Sequence, residues 1–271
     1  MAPRLRGAGL PRGGHPPKLP QNNIDGGCTM ADGQGKVVLL VGASGLSGGH
    51  VLDALLGAAD FSRVIAVTRR ALGREHPRLA NRIVQFERLE AQLQGVKCDV
   101  ALCCLGTTLA RAGSQQKFRE VDLDYVRAFA RAAQAGQAQR LVVLSSAGAD
   151  PQARNFYLRT KGEMEQALEG LGFVSLDILQ PGPLLGWRRE MRPLELAAIA
   201  LMPLVNPFLH GPRAAYRAIG ARTVAAAMLG AARSGRKGVQ RYTYAGIQAL
   251  SQIGPRTPAA QPARKPAAGA R

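Results

Sequence analysis

The chain has 271 residues, 46% of them hydrophobic, which is enough to bury the core of one large α/β domain. Its formal net charge is +18, and residues 36–250 carry +12 of it, because residues 1–35 and 251–271 hold eight basic residues against two acidic ones. The arginines are scattered singly or in pairs, with no basic stripe interleaved with aromatic residues and no zinc-finger or helix-turn-helix spacing, so specific nucleic-acid binding is not predicted.

The first 29 residues contain five prolines and several glycines and have no apolar periodicity. We therefore predict a disordered N-terminal extension over residues 1–35. Its arginines hint at an organelle transit peptide, but the prolines prevent an amphipathic helix, and no apolar segment is long enough for a secretory signal. An alternative explains the extension equally well: translation starts at Met30, and the start has been assigned too far upstream.

A glycine-rich turn follows the first predicted strand, residues 37–41. Glycines at such a turn let backbone N–H groups approach a pyrophosphate, and the N-terminus of the helix predicted over residues 48–56 adds a positive dipole. The strand before the turn and the helix after it distinguish the pattern from a chance cluster of glycines. The turn is therefore predicted to bind a dinucleotide. It reads GxxGxxG, with Gly42, Ala43, Ser44, Gly45, Leu46 and Ser47 as the binding residues and Gly48 closing the pattern.

The second predicted strand, residues 64–67, is followed by Thr68, Arg69 and Arg70. An NAD-specific site normally has an Asp or Glu at this point to bind the ribose 2′-hydroxyl. Two guanidinium groups instead suit a 2′-phosphate, so NADP(H) is the predicted cofactor. The alternative is that both arginines are ordinary solvated surface residues.

Further apolar runs predict strands at residues 83–86, 100–104, 141–144 and 176–179, and helical patterns cover residues 118–133 and 157–171. Continuous apolar strands that alternate with helices are typical of a doubly wound parallel sheet covered on both faces. The predicted fold class is therefore α/β, a Rossmann fold in one domain over residues 36–250 with a small C-terminal substrate-side region.

The four cysteines have no CxxC spacing, and two of them lie in an apolar strand run. Cysteines in such a run are typical small core residues rather than nucleophiles. Reduced thiols favour a cytoplasmic location, which we therefore expect. The residues are Cys28, Cys98, Cys103 and Cys104.

A pair of serines and a tyrosine–lysine pair follow the fifth predicted strand. Ser145 and Ser146 come directly after that strand, and Tyr157 and Lys161 are spaced i, i+4 at the start of the next helix. This spacing puts both side chains on one helix face, where the ammonium favours the phenolate of the tyrosine. Such a tyrosine can donate a proton to a carbonyl oxygen or accept one from an alcohol, and a strand-end serine can hold the same oxygen. All four residues are candidate catalytic residues. The spacing does not decide which of the two serines acts on the substrate.

The most apolar stretch, residues 194–209, raises the question of a membrane segment. It is shorter than the roughly 20 residues needed to span a bilayer, and a glutamate and two prolines interrupt it, so no membrane span is predicted. It is either a substrate-covering flap, a subunit contact or an ordinary packed helix-turn. A homodimer is compatible with the sequence but not required by it. Residues 251–271, rich in Pro, Ala and Arg, are predicted to be a disordered tail.

The order of these motifs resembles that of the short-chain dehydrogenase/reductase family, in particular its atypical branch. The resemblance extends from about residue 37 to about residue 229. The segments that carry it are residues 40–45, 68–70, 103–108, 121–126, 144–150, 157–163 and 181–185.

This resemblance implies that the glycine turn binds the pyrophosphate and that Arg69 and Arg70 bind the adenosine 2′-phosphate. The catalytic asparagine of the family has no evident counterpart, since the corresponding region reads Val121-Asp122-Leu123-Asp124. Further cofactor contacts are implied along the chain. They are Leu105, Gly106 and Thr107 beside the cofactor, Lys161 on the nicotinamide ribose, and Pro181 beside the nicotinamide.

The sequence thus favours an NADP(H)-dependent oxidoreductase that reduces a carbonyl or oxidises an alcohol of a small molecule. Its substrate pocket is expected within residues 187–217, which carry no chemical signature. A regulatory or scaffold protein that binds NADPH without turnover is the alternative, because a fold alone does not choose between the two. A nucleotide-sugar epimerase that uses NAD shares the architecture but fits the two arginines poorly.

Overall fold

Seven parallel strands form one sheet in the computed structural model, which describes residues 35–185 and 209–253. The strand order is β3-β2-β1-β4-β5-β6-β9, and a separate pair, β7-β8, is also parallel. The strands are β1 Lys36–Val41, β2 Phe61–Thr68, β3 Leu79–Ile83, β4 Val100–Cys103, β5 Arg140–Leu144, β6 Ser175–Leu179, β7 Leu184–Leu185, β8 Ile219–Gly220 and β9 Gly238–Tyr242.

Helices cover both faces of the sheet. Successive side chains of a strand point to opposite faces, so each buried strand packs against helices on both sides. In β1, Val38 and Leu40 pack with α1 and α7, whereas Leu39 and Val41 pack with α2, α5 and α6. A π-helical segment, Glu120–Asp124, joins α4 to α5. The helices are α1 Leu46–Gly57, α2 Leu89–Gln92, α3 Leu109–Ala112, α4 Gln115–Arg119, α5 Tyr125–Ala135, α6 Phe156–Glu169, α7 Ala221–Arg233 and α8 Tyr244–Ile253.

The predicted doubly wound parallel sheet is confirmed. Its strand order reverses between β1 and β4, which places a crevice at the carboxyl ends of these strands. Val41 pairs with both Val67 and Cys103, so the turns after β1, β2 and β4 begin at the same edge. The register between β5 and β6 brings Leu144 beside Leu179, which extends the same edge to the two serines. The fold therefore gathers all the predicted site motifs at one edge of the sheet.

The prediction of a strand at residues 83–86 was wrong. The strand is Leu79–Ile83, and Phe86 begins a 3-10 helix. β3 is an edge strand whose polar residues form bonds to its neighbours: Asn81 Nδ2 donates to Ala66 O at 3.1 Å, and Arg82 donates to Gln92 O at 2.7 Å. A search for apolar runs misses a strand whose side chains are only half-buried.

Two other differences concern the C-terminal part of the chain. β9 was not predicted, because most of its side chains are exposed or half-buried at the sheet edge. Helix α8 continues through Ile253, so residues 251–253 of the predicted disordered tail are helical. The apolar stretch 194–209 and the N-terminal extension lie almost entirely outside the described residues. Over residues 35–185 and 209–253, no helix has the length and apolar character needed to cross a bilayer.

Candidate active site

The glycine turn after β1 is built on two very close backbone contacts. Gly42 has a φ of +83°, and a Cβ at this position would lie 2.6 Å from the carbonyl carbon of Cys104. A Cβ at Gly48 would lie 2.0 Å from the carbonyl oxygen of Gly42. Neither position accepts a side chain, so both glycines are required for the turn to pass between β4 and the start of α1.

The first turn of α1 leaves backbone N–H groups and one hydroxyl available as hydrogen-bond donors at the crevice. Gly45 is its N-cap and offers no side-chain cap, and the first N–H groups of a helix have no partner inside it. The hydroxyl of Ser47 is buried and has no hydrogen-bond partner among the described residues. Unpaired N–H groups, a helix dipole and an unsatisfied buried hydroxyl at one point fit an anionic ligand such as a pyrophosphate.

Arg69 and Arg70 lie after β2 at the same edge, and both are exposed. Neither forms an ion pair with a carboxylate of the described residues, although the Arg69 guanidinium lies 5.7 Å from the Phe86 ring centroid. The turn that carries them is held by Thr68, whose Oγ1 donates to Arg70 O at 2.8 Å and accepts from Asn81 Nδ2 at 2.7 Å. The guanidinium groups are therefore free to bind an anion from a turn of fixed shape.

The loop after β4 adjoins the glycine turn, since a Cβ on Gly42 would lie 2.9 Å from the Leu105 nitrogen. The other end of the loop is tied to the π-helical segment, where Asp122 Oδ2 accepts from the Thr107 nitrogen at 2.8 Å. Gly106 lies between these anchors, and a Cβ there would be 3.5 Å from Asp122 Oδ1. The predicted cofactor residues Leu105, Gly106 and Thr107 thus connect the glycine turn to Asp122.

Tyr157 and Lys161 occupy the first two turns of α6, whose N-cap Asn155 accepts from the Leu158 nitrogen at 3.1 Å. Tyr157 is half-buried, with its ring centroid 5.5 Å from that of the fully buried Phe118. Lys161 is buried, and its Nζ lies 2.7 Å from Asp122 Oδ1. Tyr157 is thus partly accessible to solvent, while Lys161 is enclosed and paired with Asp122.

The charge of Lys161 is decided by two opposing effects. Burial lowers its pKa, but the Asp122 carboxylate and the neighbouring Tyr157 oxygen raise it, and the net pKa is above the ordinary value of 10.5. Lys161 is thus an ammonium at neutral pH, although it is buried. This state is the one that attracts a developing negative charge on the phenol.

The two serines have different surroundings. Ser145 is buried, and its Oγ donates to Glu165 Oε1 at 2.5 Å. Glu165 also accepts from Gln180 Nε2 at 2.9 Å and from Arg241 Nε at 3.2 Å. Ser146 is only half-buried, and the one described hydrogen bond of its hydroxyl is a long one of 3.4 Å to Ala147 O. Ser145 is committed to an internal network, whereas the Ser146 hydroxyl is available.

Pro181 lies at the same edge and is buried. Its carbonyl oxygen accepts from the Ala147 nitrogen at 2.9 Å, which ties the loop after β6 to the loop after the serines. The latter loop in turn packs directly on α6, since a Cβ at Gly162 would lie 2.1 Å from the Pro151 nitrogen. The serine loop, the Pro181 loop and the helix that carries Tyr157 are thereby fixed to one another.

The described cysteines are poor nucleophiles. Burial raises the pKa of both Cys98 and Cys103 to about 12, and that of Cys104 still further. None of them forms a thiolate at neutral pH, so the site has no thiol chemistry available.

Asp122 and Glu165 are two charged residues at the site that sequence reasoning missed. Asp122 was noted only because an asparagine was missing there. Glu165 follows Lys161 by four residues, as Lys161 follows Tyr157, so the i, i+4, i+8 spacing on one helix face was the available signal. The substrate-side region expected within residues 187–217 is described only from residue 209 onward.

The fold and the site together define a doubly wound α/β protein with a glycine-rich turn after β1 and a helical tyrosine–lysine pair. A family model, the NAD dependent epimerase/dehydratase family, matches residues 38–166. The chain is 41% identical over 169 residues to "Protein HTATIP2" of Rattus norvegicus, covering 61% of this chain and 69% of that protein. It therefore belongs to the epimerase/dehydratase family of Rossmann proteins, with HTATIP2 among its relatives.

Fungal relatives agree with this assignment, and a solved structure agrees with the fold. "Protein FMP52, mitochondrial" of Lodderomyces elongisporus is 36% identical over 166 residues, covering 57% of this chain and 69% of that protein. The Bordetella bronchiseptica enzyme WbmH, solved in complex with NAD+, has a TM-score of 0.58 at 16% identity, with 80% of this chain and 79% of that chain covered. The latter similarity supports the fold.

The expectation of a cytoplasmic protein was wrong. Relatives from several fungi bear names that place them in mitochondria. The expectation came from cysteine usage, and buried unpaired thiols such as Cys98 and Cys103 indicate reducing conditions without distinguishing one compartment from another.

Proposed function

We propose that the chain is an NADP(H)-dependent oxidoreductase that reduces a carbonyl group or oxidises an alcohol, with Tyr157 as the acid/base. The observation that carries the proposal is the buried ion pair of Lys161 with Asp122, one helical turn from the half-buried Tyr157 on α6. A buried ammonium is costly unless its charge is paired, and the Asp122 carboxylate lets Lys161 keep its charge in this enclosed position.

Each part of the cofactor has candidate binding residues at the carboxyl ends of the strands. The glycine turn and Ser47 would hold the pyrophosphate, and Arg69 and Arg70 would hold the 2′-phosphate through charge-assisted hydrogen bonds. Lys161 has donors left for the nicotinamide ribose, since an ammonium has three and Asp122 takes one. Leu105, Gly106, Thr107 and Pro181 would lie beside the cofactor. When bound, the dinucleotide supplies a hydride to the substrate carbon or accepts one from it.

The chain itself supplies the proton. The Tyr157 hydroxyl would donate a proton to the carbonyl oxygen as the hydride arrives, and would take it back in the oxidation. Lys161 lowers the cost of the phenolate that remains. Ser146, whose hydroxyl is not committed elsewhere, would hold the substrate oxygen, while Ser145 is occupied by Glu165.

Cofactor preference is the direct test. We expect NADPH to bind more tightly than NADH, and Arg69→Glu/Arg70→Glu to weaken NADPH binding about 100-fold or more, since each hydrogen bond to a charged group contributes about 1.5–3 kcal/mol. The dissociation constants are measured by quenching of protein fluorescence. Arg63→Glu/Arg131→Glu is the matched control, because both residues are exposed and the change in net charge is the same. Equal affinities for the two dinucleotides in the parent chain would contradict the NADP(H) assignment.

Turnover is tested with a library of aldehydes and ketones, scored by NADPH oxidation. Reaction with at least one member is expected. Tight NADPH binding without any turnover would favour the other candidate, a protein whose NADPH occupancy controls a partner surface.

A further inference from the structure

Asp122 uses both of its carboxylate oxygens for two different parts of the site. Oδ1 lies 2.7 Å from Lys161 Nζ, and Oδ2 accepts from the Thr107 nitrogen at 2.8 Å. The side chain is 0% exposed. A carboxylate so enclosed is stable only when its charge is compensated, so the ion pair with Lys161 and the hydrogen bond from Thr107 are both required.

The backbone around Asp122 is unusual in the same place. Residues Glu120–Asp124 form a π-helical turn between α4 and α5, and this turn buries Asp122 and Leu123. π-turns inside α-helices are rare and occur frequently at functional sites. Here the turn moves the Asp122 side chain into contact with both α6 and the loop after β4.

An amide could not make the same two contacts. A carboxylate offers two acceptors, whereas asparagine offers one acceptor and one NH2 donor. If the amide oxygen faced the Thr107 nitrogen, the NH2 group would face the Lys161 ammonium, which is also a donor. The aspartate therefore has a role that the asparagine expected from the family resemblance could not fill.

The surroundings of Lys161 leave its charge dependent on this one carboxylate. Besides Asp122, the ionisable groups that act on it are Tyr157 on its own helix and Cys103 on β4, and the Cys103 thiol is neutral at ordinary pH. Glu165, one turn further along α6, is bonded to Ser145, Gln180 and Arg241. Burial alone would favour the neutral amine.

We infer that Asp122 is a positioning residue that holds Lys161 charged beneath Tyr157 and fixes the loop Leu105–Thr107 at the same time. A single carboxylate thereby couples the seating of the dinucleotide to the acid/base pair. The inference rests on the proposed function, because it assumes that this loop and Lys161 both contact the cofactor.

The test is NADPH affinity as a function of pH in Asp122→Asn. The dissociation constant is measured from about pH 7 to about pH 10, in the parent and in a Tyr157→Phe background, which lacks the hydroxyl of that residue. In the parent, we expect an affinity that changes little as long as Lys161 keeps its proton. In Asp122→Asn, the largest influence that opposes burial is gone, so Lys161 loses its proton at lower pH, and the affinity falls by up to about tenfold for each pH unit above that point.

Asp177→Asn is the matched control, since Asp177 is the other fully buried carboxylate paired with a cation among the described residues. It is expected to lower the melting temperature without changing the pH dependence of NADPH binding. If Asp122→Asn weakened binding equally at every pH, or not at all, the inference would be wrong while the proposed function stood. If the parent chain bound no NADPH, the proposed function would fail and the inference with it.

A folding defect in Asp122→Asn would not end the test. Asp122→Asn/Lys161→Met removes both charges, so coupling of the two groups predicts that the double variant melts at a higher temperature than Asp122→Asn alone. A double variant that is destabilised by the sum of the two single effects would contradict the coupling.

Discussion

Two buried ion pairs lie toward opposite ends of the parallel strands, and they differ in how completely their donors and acceptors are used. Toward the amino-terminal edge, Arg140 pairs with Asp177, which also accepts from Tyr242 OH at 3.0 Å and from Ser175 Oγ at 3.2 Å. Arg140 gives a further hydrogen bond to Arg236 O at 2.7 Å. This pair is surrounded by partners within the chain.

At the carboxyl edge, the pair Lys161–Asp122 is equally buried but less complete. Within residues 35–185 and 209–253, Asp122 is the one carboxylate that pairs with Lys161 Nζ, and two donors of the ammonium remain. Buried donors of native proteins are normally satisfied, so an incomplete pair points to a ligand and a complete one to stability. The two pairs should therefore respond differently to substitution.

The largest effect is expected at Tyr157, one helical turn before Lys161 of the incomplete pair. Tyr157→Phe should lower turnover about 10²- to 10⁴-fold, because it removes the transferable proton while keeping the ring packed near Phe118. NADPH affinity should be nearly unchanged. Lys161→Ala, by contrast, should damage both turnover and affinity. Steady-state rates and fluorescence titrations with NADPH measure the two quantities, and a Tyr157→Phe variant with the parent's rate would exclude this tyrosine as the acid/base.

The complete pair should affect stability instead. Asp177→Asn leaves Arg140 without a counter-charge, and breaking a buried pair costs about 3–5 kcal/mol. Burial raises the pKa of Asp177 against the opposing influence of Arg140, so we expect the lower end of this range. Denaturant unfolding measures the loss. Unchanged stability would show that the pair is replaceable, and a change in NADPH affinity would contradict the separation between the two edges.

The serines sharpen the comparison within the site. Ser146→Ala should lower turnover about fivefold, since it removes one neutral hydrogen bond of about 1 kcal/mol to the substrate oxygen. Ser145→Ala should leave Glu165 with one donor fewer and act mainly on stability. Rates and melting temperatures of the two variants, measured side by side, separate these roles. The opposite outcome, with turnover lost in Ser145→Ala alone, would reverse the assignment.

The sequence predicted the fold well, because buried parallel strands are continuous apolar runs. It failed for the two outermost strands, β3 and β9. Most of their side chains are half-buried or exposed, so their sequences show no clear apolar pattern. The spacing of Tyr157 and Lys161 was sufficient to predict a shared helix face, since that relation is local.

The roles of Asp122 and of the two serines could not be predicted in the same way. The contact between Asp122 and Lys161 joins residues 39 positions apart and depends on a π-helical turn for which the sequence has no known signature. Likewise, the choice between Ser145 and Ser146 depends on Glu165, which lies on a different element. Such contacts are set by tertiary packing rather than by local pattern.

The smallest effect is expected at a third pair, which is exposed. Arg233 binds Asp60 through two hydrogen bonds, at 2.8 and 2.6 Å, and the Asp60 side chain is 45% exposed. The hydrogen bond from Arg233 holds the pKa of Asp60 below its usual 3.8. A lowered carboxyl pKa contributes stability above the unfolded value, and this contribution is lost as the pH falls through the folded value.

Asp60→Asn should therefore lower stability at pH 7 by less than about 1 kcal/mol, since solvent screens an exposed pair. In a chain of this size, that corresponds to a shift of about 2–4 °C or less in Tm. The difference between parent and variant should vanish well below pH 3.8, where Asp60 is protonated in both the folded and unfolded states. Thermal unfolding at both pH values measures it. A difference that persists in acid would mean that packing of the Asp60 side chain, rather than its charge, stabilises the contact with α7. A loss of stability as large as that of Asp177→Asn would show that burial does not distinguish the exposed pair from the buried one.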